Sequence, residues 1–159
     1  MFSPIRIIIE PASYTLASHV VIFIAMFMSP VMAVLVVFGT TLGFFLGGFP
    51  IVVVMRAASH IVFALVGSLY LHKVSKEELS AVKLRVFSFF IALIHAALEL
   101  AVVGAFFFAG NLAGGFHVMS ILLLVGLGTV IHSMVDFEIA RIIMVPLKKQ
   151  STLAHHFGR

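Results

Sequence analysis

The chain contains no cysteine, which excludes disulfides and thiol chemistry and leaves the compartment open. Charge is scarce. Only 10% of its 159 residues are Asp, Glu, Lys or Arg, against about a quarter in a soluble domain. The sequence has no Walker A phosphate loop, no GxSxG, no HExxH and no arrangement that reads as a catalytic triad. It cannot hydrolyse ATP by itself, and neither an enzyme activity nor a cofactor is expected. There is no internal repeat and no low-complexity segment.

What fills the chain instead is apolar. Hydrophobic residues make up 62% and the mean hydropathy is +1.24, a balance that belongs to an integral membrane protein. A helix needs about 20 residues to cross the hydrocarbon core, so this length predicts an all-α bundle of five to six membrane helices and no soluble catalytic domain. The formal net charge of +4 sits at helix ends, where the positive-inside rule accounts for it better than nucleic acid does.

Residues 1–12 are broken by Pro4, Arg6, Glu10 and Pro11 and as a helix would span only about 18 Å. The apolar run from Leu16 to Leu46 is interrupted at Ser29 and Pro30. It predicts helices over 17–28 and 31–46, or one long helix kinked at the proline. Clean spans are expected over 49–72, 86–110 and 116–146, with a polar loop at 73–85 and a basic tail at 147–159, the whole forming one transmembrane domain. Lys73, Lys76, Lys83, Arg85, Arg141, Lys148, Lys149 and Arg159 cluster in that loop and at the C-terminal end. The bias places both in the cytoplasm. The helix of Arg56 therefore starts outside. Helix parity then predicts that a first helix is mostly missing, the sequence being shortened at its N-terminus, or that a short interfacial segment replaces it.

Three ionisable pairs lie four residues apart within spans: Arg56 with His60, His95 with Glu99, and His132 with Asp136. Such spacing puts each pair on one helix face, and ionisable groups at membrane depth default to a functional cavity. Against this stands the plainer reading, that they satisfy each other; Glu99 could simply pair with Arg56. His132 and Asp136 are expected nearer the inner side, in a structural network. The guanidinium of Arg56 suits a carboxylate or phosphate. The outer loop 10–19 offers Tyr14, Thr15, Ser18 and His19, and "NLAGGFH" offers Asn111 and His117, groups fit to line a small-ligand site or to sit as interfacial turns. A metal site is not expected, because the histidines lie on different helices without a recognised motif. Gly39, Gly43 and Gly47 recur every four residues as a helix-packing seam or a partner contact, and Ala97, Ala101 and Ala105 repeat that spacing.

The helix order, the "MSP" joint, "GGFP", "RAASH" and "HSMVDF" together resemble, over about residues 10–145, the S components of energy-coupling factor (ECF) vitamin transporters. The stretch "IEPASYTLASHVVIFIAMF" looks most like the niacin-specific group. The resemblance implies a six-helix protein of the bacterial cell membrane. Its vitamin pocket near the outer face would be built from 10–19, 49–72, 86–110 and 116–146. It also implies a transmembrane coupling subunit and two ATPase partners, and a toppling motion that releases the vitamin inward. In that family, small-residue motifs on the first helix contact the coupling subunit, and this sequence has no such helix to match. On this reading Arg56 holds the anionic group, and Tyr14, His19, His60, Glu99 and Asn111 line the site. Two other classes remain. One is a proton-coupled carrier using Glu99, His95, His132 and Asp136 as a relay; the other is a structural membrane subunit.

Overall fold

The computed structural model describes residues 6–9, 12–15, 17–74, 80–111 and 117–149, with side chains at 17–74, 80–111 and 117–144. A two-stranded antiparallel hairpin, β1 (Arg6–Ile9) and β2 (Ala12–Thr15), comes first. Four helices follow: α1 (Val20–Met28), α2 (Pro30–Leu46), α3 (Ile51–Lys73) and α4 (Ala81–Phe108). The last helix, α5, runs without a break through the turn Val118–Ser120, the π-helical stretch Ile121–Leu127 and the α-helix Gly128–Lys149. Apart from the hairpin the described protein is helical. Three spans are long and apolar enough to cross a membrane: Ile51–Lys73, Ala81–Phe108 and Val118–Met144; Pro30–Leu46 is apolar but shorter.

Ser29 settles the choice between one kinked helix and two. Its backbone is extended (φ −168°, ψ 157°), its side chain accepts from the Met32 N–H at 3.0 Å, and Pro30 takes the first helical position. Proline is tolerated there because no donor is needed, and the serine cap is worth about 1 kcal/mol. α1 therefore ends at Met28 after nine residues, about 14 Å of rise. It begins in the middle of the bundle and reaches the end where α3 stops and α4 starts. There the Ser68 hydroxyl donates to the Met26 carbonyl at 2.9 Å.

Three expectations need correction. The helix expected over 86–110 begins at Ala81, because Ser80 caps the Lys83 N–H at 3.3 Å, so the expected loop 73–85 loses its last residues to α4. The segment before α1 pairs as a hairpin, with Arg6 opposite Thr15 and Ile7 opposite Tyr14. Gly47 is not on a helix face at all but forms the C-cap of α2, and Gly39 and Gly43 have no atom within 4 Å of where a Cβ would stand. The glycine seam is thus an open face among the described residues.

The apolar core fills the half of the bundle around α1. Phe23 packs edge-on to Phe137 (5.4 Å between centroids) and against Phe63 (5.8 Å), with Ile22, Met26 and Val37 buried beside them. α3 approaches α1 closely at Gly67, where any Cβ would collide with the Met26 methyl and lie 3.2 Å from Ile91 Cδ1. The rest of the surface is apolar as well; Phe38, Phe45, Leu69, Phe90 and Ile142 are exposed. Such a face suits lipid, which has nothing to offer a polar side chain. Away from the helix ends, His60, His95, Glu99, Thr129, Ser133 and Asp136 are turned inward, whereas Lys83 and Arg85, near the start of α4, are exposed.

Candidate functional site

Helix periodicity explains how the inward polar face is made. On α5, Thr129, Ser133 and Asp136 follow at four- and three-residue steps and are all buried, one stripe of a 3.6-residue helix. On α4 the same rule lines up Ser88, His95 and Glu99. On α3 it lines up Arg56 and His60 above Phe63 and Gly67. The π stretch of α5 ends at Leu127, immediately before this polar stripe; such stretches recur at functional sites. β2 packs against it, on the side of the bundle where α3 begins.

The centre is Glu99, 4% exposed. Its Oε2 accepts from Arg56 Nη2 at 2.7 Å and from the Thr129 hydroxyl at 3.0 Å, and its Oε1 lies 3.3 Å from His60 Nε2. A carboxylate held by a charged donor and two further groups can stay ionised in a medium without water. Arg56 is not used up by this contact. Its Nε is buried and makes no hydrogen bond among the described residues.

A second carboxylate, Asp136, holds the start of α1. Its Oδ1 accepts from the Ala17 N–H at 2.9 Å, and its Oδ2 accepts from the His19 N–H at 3.0 Å and lies 3.2 Å from His19 Nδ1. Ala17 takes the left-handed conformation (φ 65°), unfavourable for a residue with a Cβ by roughly 1–2 kcal/mol, and the aspartate is what fixes it there. Ser18 Oγ bridges His19 Nδ1 and His132 Nε2, each at 3.1 Å.

His19 joins the two carboxylate centres. Its ring lies 4.8 Å from His60, 4.7 Å from His95 and 5.2 Å from His132, edge-on to each. The expectation that His132 and Asp136 form a network apart from Arg56 and Glu99 is therefore corrected. Because α1 starts at mid-bundle, the residue that caps it, His19, lies between the two groups and makes them one cluster.

Of the residues expected at the site, Arg56, His60, His19 and Glu99 come together. Asn111 does not: it is exposed beyond the end of α4, about three turns past Glu99. His117 is likewise exposed at the start of α5. Tyr14 and Thr15 are described as backbone, in β2; their side chains lie outside the described residues. Sequence reasoning passed over Thr129 and Ser133. Their place one turn from His132 and Asp136 on the same helix was the available signal.

Fold and site define an α-helical membrane protein with a buried, charged and histidine-rich centre. The chain is 41% identical over 143 residues to the niacin transporter NiaX of Lactococcus lactis subsp. cremoris (strain MG1363), a match that takes in 88% of this chain and 64% of that protein. The chain thus spans a little under two thirds of the relative's length. No family model and no solved structure match the chain.

Proposed function

We propose that this chain is the substrate-specific binding subunit of a bacterial vitamin uptake system, that its ligand is niacin, and that it works with an ATP-driven energy-coupling module of one transmembrane subunit and two ATPases. In this reading both the segment between α3 and α4 and the C-terminus face the cytoplasm, and the ligand arrives from the side of Ile51 and Phe108. The observation that carries the proposal is Arg56. A permanently charged guanidinium stands in a buried polar cluster with an N–H that has no hydrogen bond among the described residues, in a chain 41% identical over 143 residues to a niacin transporter. Arg56 recognises the ligand carboxylate while Glu99 holds the guanidinium in place. His19 and His60 present ring edges to a flat heteroaromatic ligand. Tyr14 is a further ligand contact in this reading, whereas Asn111, exposed beyond the end of α4, is not.

The test is equilibrium binding of nicotinate and nicotinamide to purified protein in detergent, for the wild type and for Arg56→Ala. Only variants that elute as a single folded species are scored. Nicotinate binding that Arg56→Ala weakens at least about a hundredfold, as expected for loss of a buried charge-assisted pair, supports the reading. Equal affinity for the acid and the amide argues against it.

One observation favours a second reading. His95, Glu99, His132 and Asp136 belong to a single connected cluster through His19, as a proton relay requires. Uptake by the chain alone, abolished when the proton gradient is collapsed, would establish a secondary carrier in place of the binding subunit.

A further inference from the structure

Three imidazoles from three different segments converge beside the two carboxylates. His19 precedes α1, His60 is on α3 and His95 is on α4, and one ring nitrogen from each lies within 4.8 Å of those of the other two. Each ring also has a polar neighbour at one of its nitrogens. His19 Nδ1 lies 3.2 Å from Asp136 Oδ2, His60 Nε2 lies 3.3 Å from Glu99 Oε1, and His95 Nδ1 lies 3.2 Å from Ser133 Oγ. The opposite nitrogens of two of them, His60 Nδ1 and His95 Nε2, are buried and make no hydrogen bond among the described residues; the nearest carboxylate oxygen to His95 Nε2, Glu99 Oε1, is 3.7 Å away. A buried polar atom without a partner is unfavourable by about 1–3 kcal/mol, so two in one place call for an occupant.

The charge points the same way. Arg56 offsets Glu99, but among the described residues Asp136 has only histidines and hydrogen-bond donors around it. With neutral imidazoles the cluster therefore retains one negative charge. Nitrogen ligands held by a carboxylate or hydroxyl on their far side, with a negative charge behind them, are the arrangement in which metal-binding histidines are found.

We propose that His19, His60 and His95 form a site for one divalent transition-metal ion of the zinc type. Asp136, Glu99 and Ser133 are positioning residues that fix the rings. Asp136 is assigned a positioning role because its two oxygens accept the Ala17 and His19 N–H groups and its Oδ2 lies 3.2 Å from His19 Nδ1. Three imidazoles leave a fourth coordination position open to an oxygen or nitrogen donor. The proposal does not depend on niacin being the ligand.

The test uses the whole chain, purified in detergent with a tag free of histidine and loaded with zinc or cobalt(II). The expected result is about one metal per chain, with the cobalt form showing the visible absorption of a tetrahedral site. His95→Ala removes it, Ser133→Ala weakens it by about tenfold or more, and replacing both His155 and His156 in the tail changes nothing. X-ray absorption at the zinc edge of the wild type should show three imidazole ligands and needs no variant to fold. Less than a tenth of an equivalent of metal, or a metal whose content falls with the tail histidines and not with His95, overturns the proposal. Nicotinate binding by a metal-free protein would overturn nothing in the vitamin reading, and metal binding without nicotinate binding would leave this site standing.

Discussion

Asp136, on the last helix, accepts the backbone N–H of His19 at 3.0 Å and lies 3.2 Å from the same residue's ring. One carboxylate thereby fixes both where α1 begins and which way its first side chain points. In the same bundle Glu99 does the corresponding work for Arg56 and His60.

Breaking the first of these contacts should loosen the turn at the head of α1. Asp136→Ala removes the acceptor of two backbone N–H groups. We expect hydrogen exchange at the Ala17 and His19 amides to rise about 10- to 100-fold, the equivalent of about 1.5–3 kcal/mol for a charge-assisted bond. Unchanged exchange at both amides would show that the turn is held by something else.

The pair at the centre should behave as a pair. Glu99→Ala leaves the Arg56 charge buried without its partner and should lower stability by about 3–5 kcal/mol, read by denaturant titration in detergent. Arg56→Met together with Glu99→Ala should recover much of that loss. A double variant as unstable as the sum of the two single ones would mean that the residues do not act on each other.

Ala17 offers a change in the opposite direction. Glycine enters the left-handed region without hindrance, so Ala17→Gly should raise the unfolding midpoint by an amount equivalent to about 1 kcal/mol. A lowered midpoint would contradict the backbone geometry at this turn.

Two glycine positions should differ sharply. Gly67→Leu must displace Met26 and Ile91 and should destabilise by about 1–3 kcal/mol. Gly43→Leu meets empty space and should stay within about 0.5 kcal/mol of wild type. If α2 docks a coupling subunit through this face, Gly43→Leu will also reduce co-purification with that subunit, and unchanged co-purification would remove the glycine face from the interface.

Much of this arrangement was legible in the sequence. The break at Ser29 and Pro30 was legible because proline chemistry is local, and the inward pairing of Arg56 with His60 or His95 with Glu99 because helix periodicity is. The meeting of Arg56 with Glu99 was legible as one alternative, but the arrival of His19, His132 and Asp136 at the same place was not. It depends on where along α5 the start of α1 lands, a tertiary fact with no local signature. The hairpin was equally hidden. "RIIIEPASYT" has no alternation of apolar and polar residues, which is the usual mark of a strand half exposed to water. The π stretch was hidden too, since "ILLLVGL" reads as ordinary apolar helix.

α1 is nine residues long and begins inside the bundle. Its peptide dipoles therefore bring a partial positive charge, about half an elementary charge, to the interior of the bundle and not to its end. That charge belongs to the backbone. It cannot be titrated, and no side-chain substitution removes it. A carboxylate at position 136 is favoured there by the geometry of the chain itself, and Asp136 would remain the natural counter-charge to this helix even if the two histidines beside it, His19 and His132, were replaced.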